Sequence, residues 1–152
     1  FNIIVVGITY HWPQLNATVG AEKTAKLNPY KRAQGWDELG RQLRPIALAH
    51  PDAVLVADNR TLLAHMPYEL RDLKPAAASW NPSGEAGDHY KLTTDLRPWI
   101  GKDAILITQS APGEAIAGRF AGIEKLAALK VPLDAKTSRD MDVYRLHEFK
   151  GY

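Results

Sequence analysis

Trp80-Asn81-Pro82 and Asp88-His89-Tyr90 stand on one polar stretch and bring together an indole, an amide, a carboxylate, an imidazole and a phenol. Aromatic faces cover apolar C–H groups while amides and carboxylates take hydroxyls, so Trp80, Asn81, Asp88, His89 and Tyr90 suit a sugar or a polyprenyl-linked sugar. Asp88-His89 also has the makings of an acid–base pair. No activated nucleophile or third member accompanies it, so the set is assigned to substrate binding and no catalytic residue is assigned. A structured surface loop whose Trp fills the core edge fits the same residues. A second polar set, Asp58-Asn59-Arg60, follows an apolar run and precedes a helical pattern. That puts it at the carboxyl edge of a sheet, where open α/β folds bind ligands. Capping of the helix by Asp58 or Asn59 accounts for it without a ligand.

Other chemistries lack their residues. The five histidines, at 11, 50, 65, 89 and 147, form no H-E-x-x-H pair, so no metal site is assigned. There is no G-x-S-x-G elbow, and Asp58-Asn59-Arg60-Thr61 is not a glycine phosphate loop. Gly118-x-x-x-Gly122 is a packing or helix-end feature. The chain has no cysteine, which removes disulfides and thiol catalysis and fits an oxidising compartment. Its 19 Lys and Arg are interspersed with 17 Asp and Glu, giving a net charge of +2 and no case for nucleic acid. One local bias exists, in Lys23, Lys26, Lys31, Arg32, Arg41 and Arg44, which beside a membrane would meet anionic head groups.

The elements that must position these residues make an α/β fold of one domain, with a mixed central sheet, flanking helices and a C-terminal antiparallel strand pair. Residues 13–35 read as an irregular connector punctuated by Pro13, Gly20, Pro29 and Gly35. Trp36, Leu39, Leu43, Ile46 and Ala47 recur at helical steps, with Pro45 expected to kink or end the helix. Residues 53–57 and 103–108 are uninterrupted apolar runs, as in strands covered on both faces. A helix from about Thr61 and a strand at 76–80 complete a β-α-β unit. His89–Thr93 reads as a short edge strand, and Pro112 as the first residue of a helix capped by Ser110. The chain closes with strands at about 123–131 and 141–149, joined through Asp134-Ala135-Lys136-Thr137-Ser138.

The first residues, Phe1-Asn2-Ile3-Ile4-Val5-Val6-Gly7-Ile8, are apolar, lack an initiator Met and end at Tyr10-His11-Trp12-Pro13. Ile and Val favour a first strand here. Tyr10 and Trp12 are the types found at a membrane–water boundary, so residues 1–12 also fit the end of a transmembrane helix. Residues 36–152 then form a soluble α/β domain.

From Tyr30-Lys31-Arg32-Ala33-Gln34-Gly35-Trp36-Asp37-Glu38-Leu39-Gly40 the chain runs to His50-Pro51-Asp52-Ala53-Val54-Leu55-Val56-Ala57-Asp58, then to Tyr68-Glu69-Leu70-Arg71, Trp80-Asn81-Pro82 and Asp88-His89-Tyr90-Lys91-Leu92. In order and spacing, over residues 28–149, this resembles the C-terminal region of bacterial membrane glycosyltransferases of the dolichyl-phosphate-mannose–protein mannosyltransferase family, relatives of the aminoarabinose lipid A transferase. The resemblance implies an inner-membrane protein with this domain in the periplasm and residues 1–12 as the end of its last membrane helix. It also implies a polyprenyl-phosphate-linked sugar donor for the parent protein, no cofactor in this fragment, and catalytic carboxylates elsewhere. Basic residues after a last membrane helix favour the cytoplasmic side, but long domains are translocated largely regardless of charge. The expected partners are the membrane portion of the same chain and a lipid-linked sugar or a glycan or lipid acceptor. Two other roles fit the residues: a structural module packed on the membrane portion or a partner, and a free-standing α/β enzyme working at the sheet edge near Asp58.

Overall fold

A computed structural model of the chain describes residues 2–19, 32–133 and 137–152. Phe1, Gly20, Lys23, Lys26, Pro29, Tyr30 and Lys31, and the turn residues Asp134, Ala135 and Lys136, lie outside them. The fold is mixed α/β. Contacts group residues 36–131 with 140–152 in one unit, and residues 1–35 with 132–139 in another.

In the larger unit, two apolar runs become the central strands β1 (Val54–Ala57) and β3 (Ala104–Thr108), and every residue of both is buried. Each β1 neighbour is parallel to it: β2 (Ala77–Ser79) on one side, β3 on the other. The strand pair β4 (Phe120–Pro132) and β5 (Ser138–Phe149) follows, with β5 antiparallel to β3, and the sheet order is β2-β1-β3-β5-β4. Helix α4 (Arg60–Glu69) carries the chain from β1 to β2 and packs on both. Helix α3 (Trp36–Ala49) packs on α4 and continues past Pro45, so that ring removes an N–H without ending the helix. Buried Trp36, Leu39, Leu43, Leu62, Leu63 and Met66 form the apolar stripes of the two helices. The remaining core joins Val54, Val56, Leu106, Tyr144 and Leu146 to Phe120 and Phe149, with Trp80, Trp99 and Tyr152 packed against it.

In the smaller unit, residues 2–10 form a helix, α1 (Asn2–Tyr10), not the strand that Ile and Val favoured. Among the described residues no strand lies beside it, and a helix satisfies its own backbone where a lone strand cannot. The expected connector begins instead with a second helix, α2 (Trp12–Val19). Pro13 occupies its first turn, where an N–H has no intrahelical partner to lose.

Two further expectations are corrected. His89–Thr93 is a short helix, α5, because the Asp88 carboxylate accepts the Lys91 N–H at 3.0 Å and caps its start. The next helix, α6 (Glu114–Ala117), begins after Gly113, so Pro112 and Ser110 lie outside it. The Ser110 N–H donates to Thr108 Oγ1 at 3.2 Å.

Candidate functional site

The carboxyl ends of β1 and β3 are where the sheet's connections part, since β1 has β2 on one side and β3 on the other. Open α/β sheets bind ligands at such points. Asp58 leaves β1 there, and Asn59 caps α4 by accepting the Leu62 N–H at 3.0 Å. Asn59 Nδ2 donates to Asp58 Oδ1 at 3.0 Å, and Thr108 Oγ1 donates to Asp58 Oδ2 at 3.1 Å. The exposed carboxylate is thus held by two side-chain donors, one of them on a residue only 2% exposed. Arg60 opens α4 and is exposed.

Just beyond β3 a cleft of about 310 Å³ is lined by Gln109, Ala128, Leu129, Lys130, Asp140 and Asp142. Asp142 is the cross-strand partner of Thr108, which brings the cleft next to the Asp58 network. Lys125 Nζ donates to Asp142 at 2.8 Å and holds its carboxyl below the usual range, while Asp142 holds the ammonium above its own. The lining pairs acceptor-only carboxylates with an amide and an ammonium, a set that hydroxyls, being both donor and acceptor, can satisfy. The Thr108 hydroxyl is buried and used twice, so it is no nucleophile.

The Trp80 stretch is divided. Trp80 packs its ring edge-on to Tyr152, with centroids 5.1 Å apart, and close to Phe120 and Phe149. The Asn81 N–H donates to Tyr152 Oη at 3.0 Å, the Tyr152 hydroxyl to the Ser79 carbonyl at 3.4 Å, and Asn81 Nδ2 to the Glu85 carbonyl at 3.0 Å. Asp88 is committed to capping α5, and His89 meets Tyr90 edge-on. Among the described residues no hydrogen bond or ring contact joins Trp80 and Asn81 to Asp88, His89 or Tyr90. Trp80 extends the core, Asn81 ties its loop to Tyr152 and Glu85, and Asp88, His89 and Tyr90 cap and build a short helix.

One polar constellation has no counterpart in the sequence reading. Arg145 donates to Asp103 Oδ2 through Nε at 2.9 Å and Nη2 at 2.7 Å, and the Glu148 N–H donates to Asp103 Oδ1 at 3.0 Å. His147 stands 3.6 Å from the same carboxylate and 3.8 Å from Glu124. Glu148 is held at φ +48°, a strained conformation for a side chain of its kind. Burial pushes the Asp103 carboxyl up, but the Glu148 N–H and Arg145 outweigh it and leave it below the usual range. A cleft of about 300 Å³ beside it is lined by His50, Asp52, Lys102, Asp103 and Arg145, with both charge signs represented. From the sequence, His147 counts only among the scattered histidines, and Arg145 falls within the strand at 141–149. Asp103 is 42 residues from Arg145, too far for any spacing rule.

Among the described residues no group of three or more His, Cys, Asp or Glu could hold a metal ion, and no helix is long and apolar enough to cross a membrane. No family model matches the chain, and no curated protein and no solved structure matches it.

Proposed function

We propose that this chain is a non-catalytic, periplasm-facing domain of a membrane glycosyltransferase that uses a polyprenyl-phosphate-linked sugar, and that it sits at the membrane surface and aids donor or acceptor binding. The observation that carries the reading is helix α1. Ile3 is 87% exposed, Ile4 67%, Val6 55% and Tyr10 79%, and no residue of this helix is buried. An apolar helix with so many large side chains exposed is costly in water and at home in lipid. The resemblance of the motifs from Tyr30 to Leu92 supplies the parent activity. The polar cleft by Asp58, Thr108 and Gln109 is the place this reading gives to a sugar, in preference to the Trp80 loop, whose groups serve the core and α5.

The test is an NMR titration of the chain with a short-chain polyprenyl-phosphate sugar. Shifts at Asp58, Asn59, Thr108 and Gln109 are expected, and their absence at saturating ligand would sink the binding role.

A structural role is favoured by one observation, the packing of Trp80 and Tyr152 into the core. On that reading the domain braces the membrane portion or a partner. Deleting it from the full-length protein separates the two. Loss of the protein from membranes favours bracing, whereas normal abundance with lost transfer favours binding.

A further inference from the structure

The two edges of the sheet are treated differently. At one edge β2 is three residues long and is closed by a bridge from Ser79 to Asp95 and by the Ser79 N–H on the Thr94 carbonyl. At the other, β4 is 13 residues long and among the described residues has β5 as its one strand neighbour. Ala121, Ile123, Glu124, Lys125, Ala128 and Lys130 along it are exposed, and no proline interrupts it before Pro132. A long open edge offers unpaired N–H and C=O groups to another strand. Gln42 Nε2 touches this edge at one point, the Lys130 carbonyl, at 3.2 Å, and takes one of its two lone pairs.

We propose that β4 pairs antiparallel with β4 of a second copy of this chain, about a two-fold axis through Ala127. The charges select both the occupant and the register. With the axis at Ala127, Glu124 lies opposite Lys130 of the second copy, and the symmetric pair repeats it. Leu126 then faces Ala128, and Lys125 faces Leu129. Moving the axis to lie between Ala127 and Ala128 sets Lys125 opposite Lys130, a like-charge pair that destabilises a ladder. Moving it to Leu126 leaves Glu124 and Lys130 without opposite charges. Lys130 has no ion-pair partner among the described residues, and Glu124 meets only His147, at 3.8 Å. The alanine at the axis lets the strands meet without a clash. This pairing does not depend on the reading of α1 or of the glycosyltransferase resemblance.

The chain has no cysteine, so Ala127→Cys introduces a single thiol. Residues opposite one another in an antiparallel pair have Cα atoms about 4.5–5.5 Å apart, within disulfide reach. Mild oxidation should convert Ala127→Cys to a covalent dimer of twice 16.8 kDa, while Ala121→Cys stays uncoupled. Sedimentation of the unaltered chain should show a reversible dimer. Lys130→Glu should weaken it about tenfold, and Glu124→Lys with Lys130→Glu should restore it, because the swapped pair is again opposite in sign. A monomer at every concentration up to about 1 mM, a range that spans weak association, would overturn the proposal. Equal coupling at positions 127 and 121 would overturn the register. So would failure of the charge swap to restore association in a protein with native circular dichroism.

Discussion

Trp80 and Asp103 show what a residue's type can and cannot announce. A Trp beside an amide, near a carboxylate and an imidazole, has the composition of a sugar platform, yet this indole lies against Tyr152, 72 positions along, and against two phenylalanines. Local sequence carries no trace of that contact, because the tertiary fold makes it. The same holds for Asp103, whose partners come from another strand. Tyr152→Phe should therefore leave the fold intact but cost about 1 kcal/mol, since the Asn81 N–H loses its acceptor; urea unfolding measures it. Asp103 makes a pH-dependent case. Its folded carboxyl is held below its unfolded value, so the stabilisation is fully present above about pH 4 and is lost as pH falls through the lowered folded value. Asp103→Asn should be less stable than the parent at neutral pH, by about 1–3 kcal/mol, and should show a flatter loss of stability below pH 4. Chemical denaturation repeated across pH reads both effects. An equal acid slope in the two proteins would remove Asp103 from the account.

At the scale of elements, legibility followed burial. The runs at 53–57 and 103–108 could be assigned because uninterrupted apolar runs this short and rich in Val, Ile and Leu fit strands covered on both faces, and α3 and α4 because their apolar stripes recur at helical steps. Short elements were less legible. The Asp88 cap turned His89–Thr93 from strand to helix, and Ser110, expected to cap a helix, lies outside α6, which starts after Gly113. The candidate cleft was half legible: Asp58 and Asn59 stand where a strand-to-helix step puts them, whereas Gln109 and Asp142 meet only through the β3–β5 register. The closeness of α3 to α4 was not visible at all, and it rests on one glycine. A Cβ on Gly40 would lie 2.5 Å from Glu69 Cβ, so Gly40→Ala must push the helices apart. A loss of about 1–3 kcal/mol is expected in thermal or urea unfolding. Gly7→Ala makes the opposite case. Nothing lies within 4 Å of the added carbon, and α1 should gain helicity, by up to about 1 kcal/mol of local stability, in circular dichroism.

For the whole molecule, the proposed membrane-surface role would draw on two competing sources of affinity: basic side chains drawn to anionic head groups, and apolar side chains drawn to the acyl boundary. Two of the described basic residues would contribute little to the first. Arg41 is paired with Glu38 and Arg44 with Asp72, so their charges are already met within the protein. Helix α1 would supply the second, since Ile3, Ile4, Val5, Val6 and Ile8 are all exposed. Screening decides between them. At about 1 M salt the Debye length shrinks to about 3 Å, which quenches surface attraction and leaves apolar insertion untouched. Flotation of the full chain with phosphatidylethanolamine–phosphatidylglycerol vesicles should therefore survive that salt. Ile4→Asp with Val6→Asp should lower the membrane partition coefficient at least about a hundredfold, since each buried Ile or Val contributes about 1.5 kcal/mol or more. Replacing Arg41 and Arg44 by Gln should change it little. Binding abolished by salt would assign the affinity to charge and withdraw α1 as the membrane-facing element, and with it the observation on which the proposed function stands.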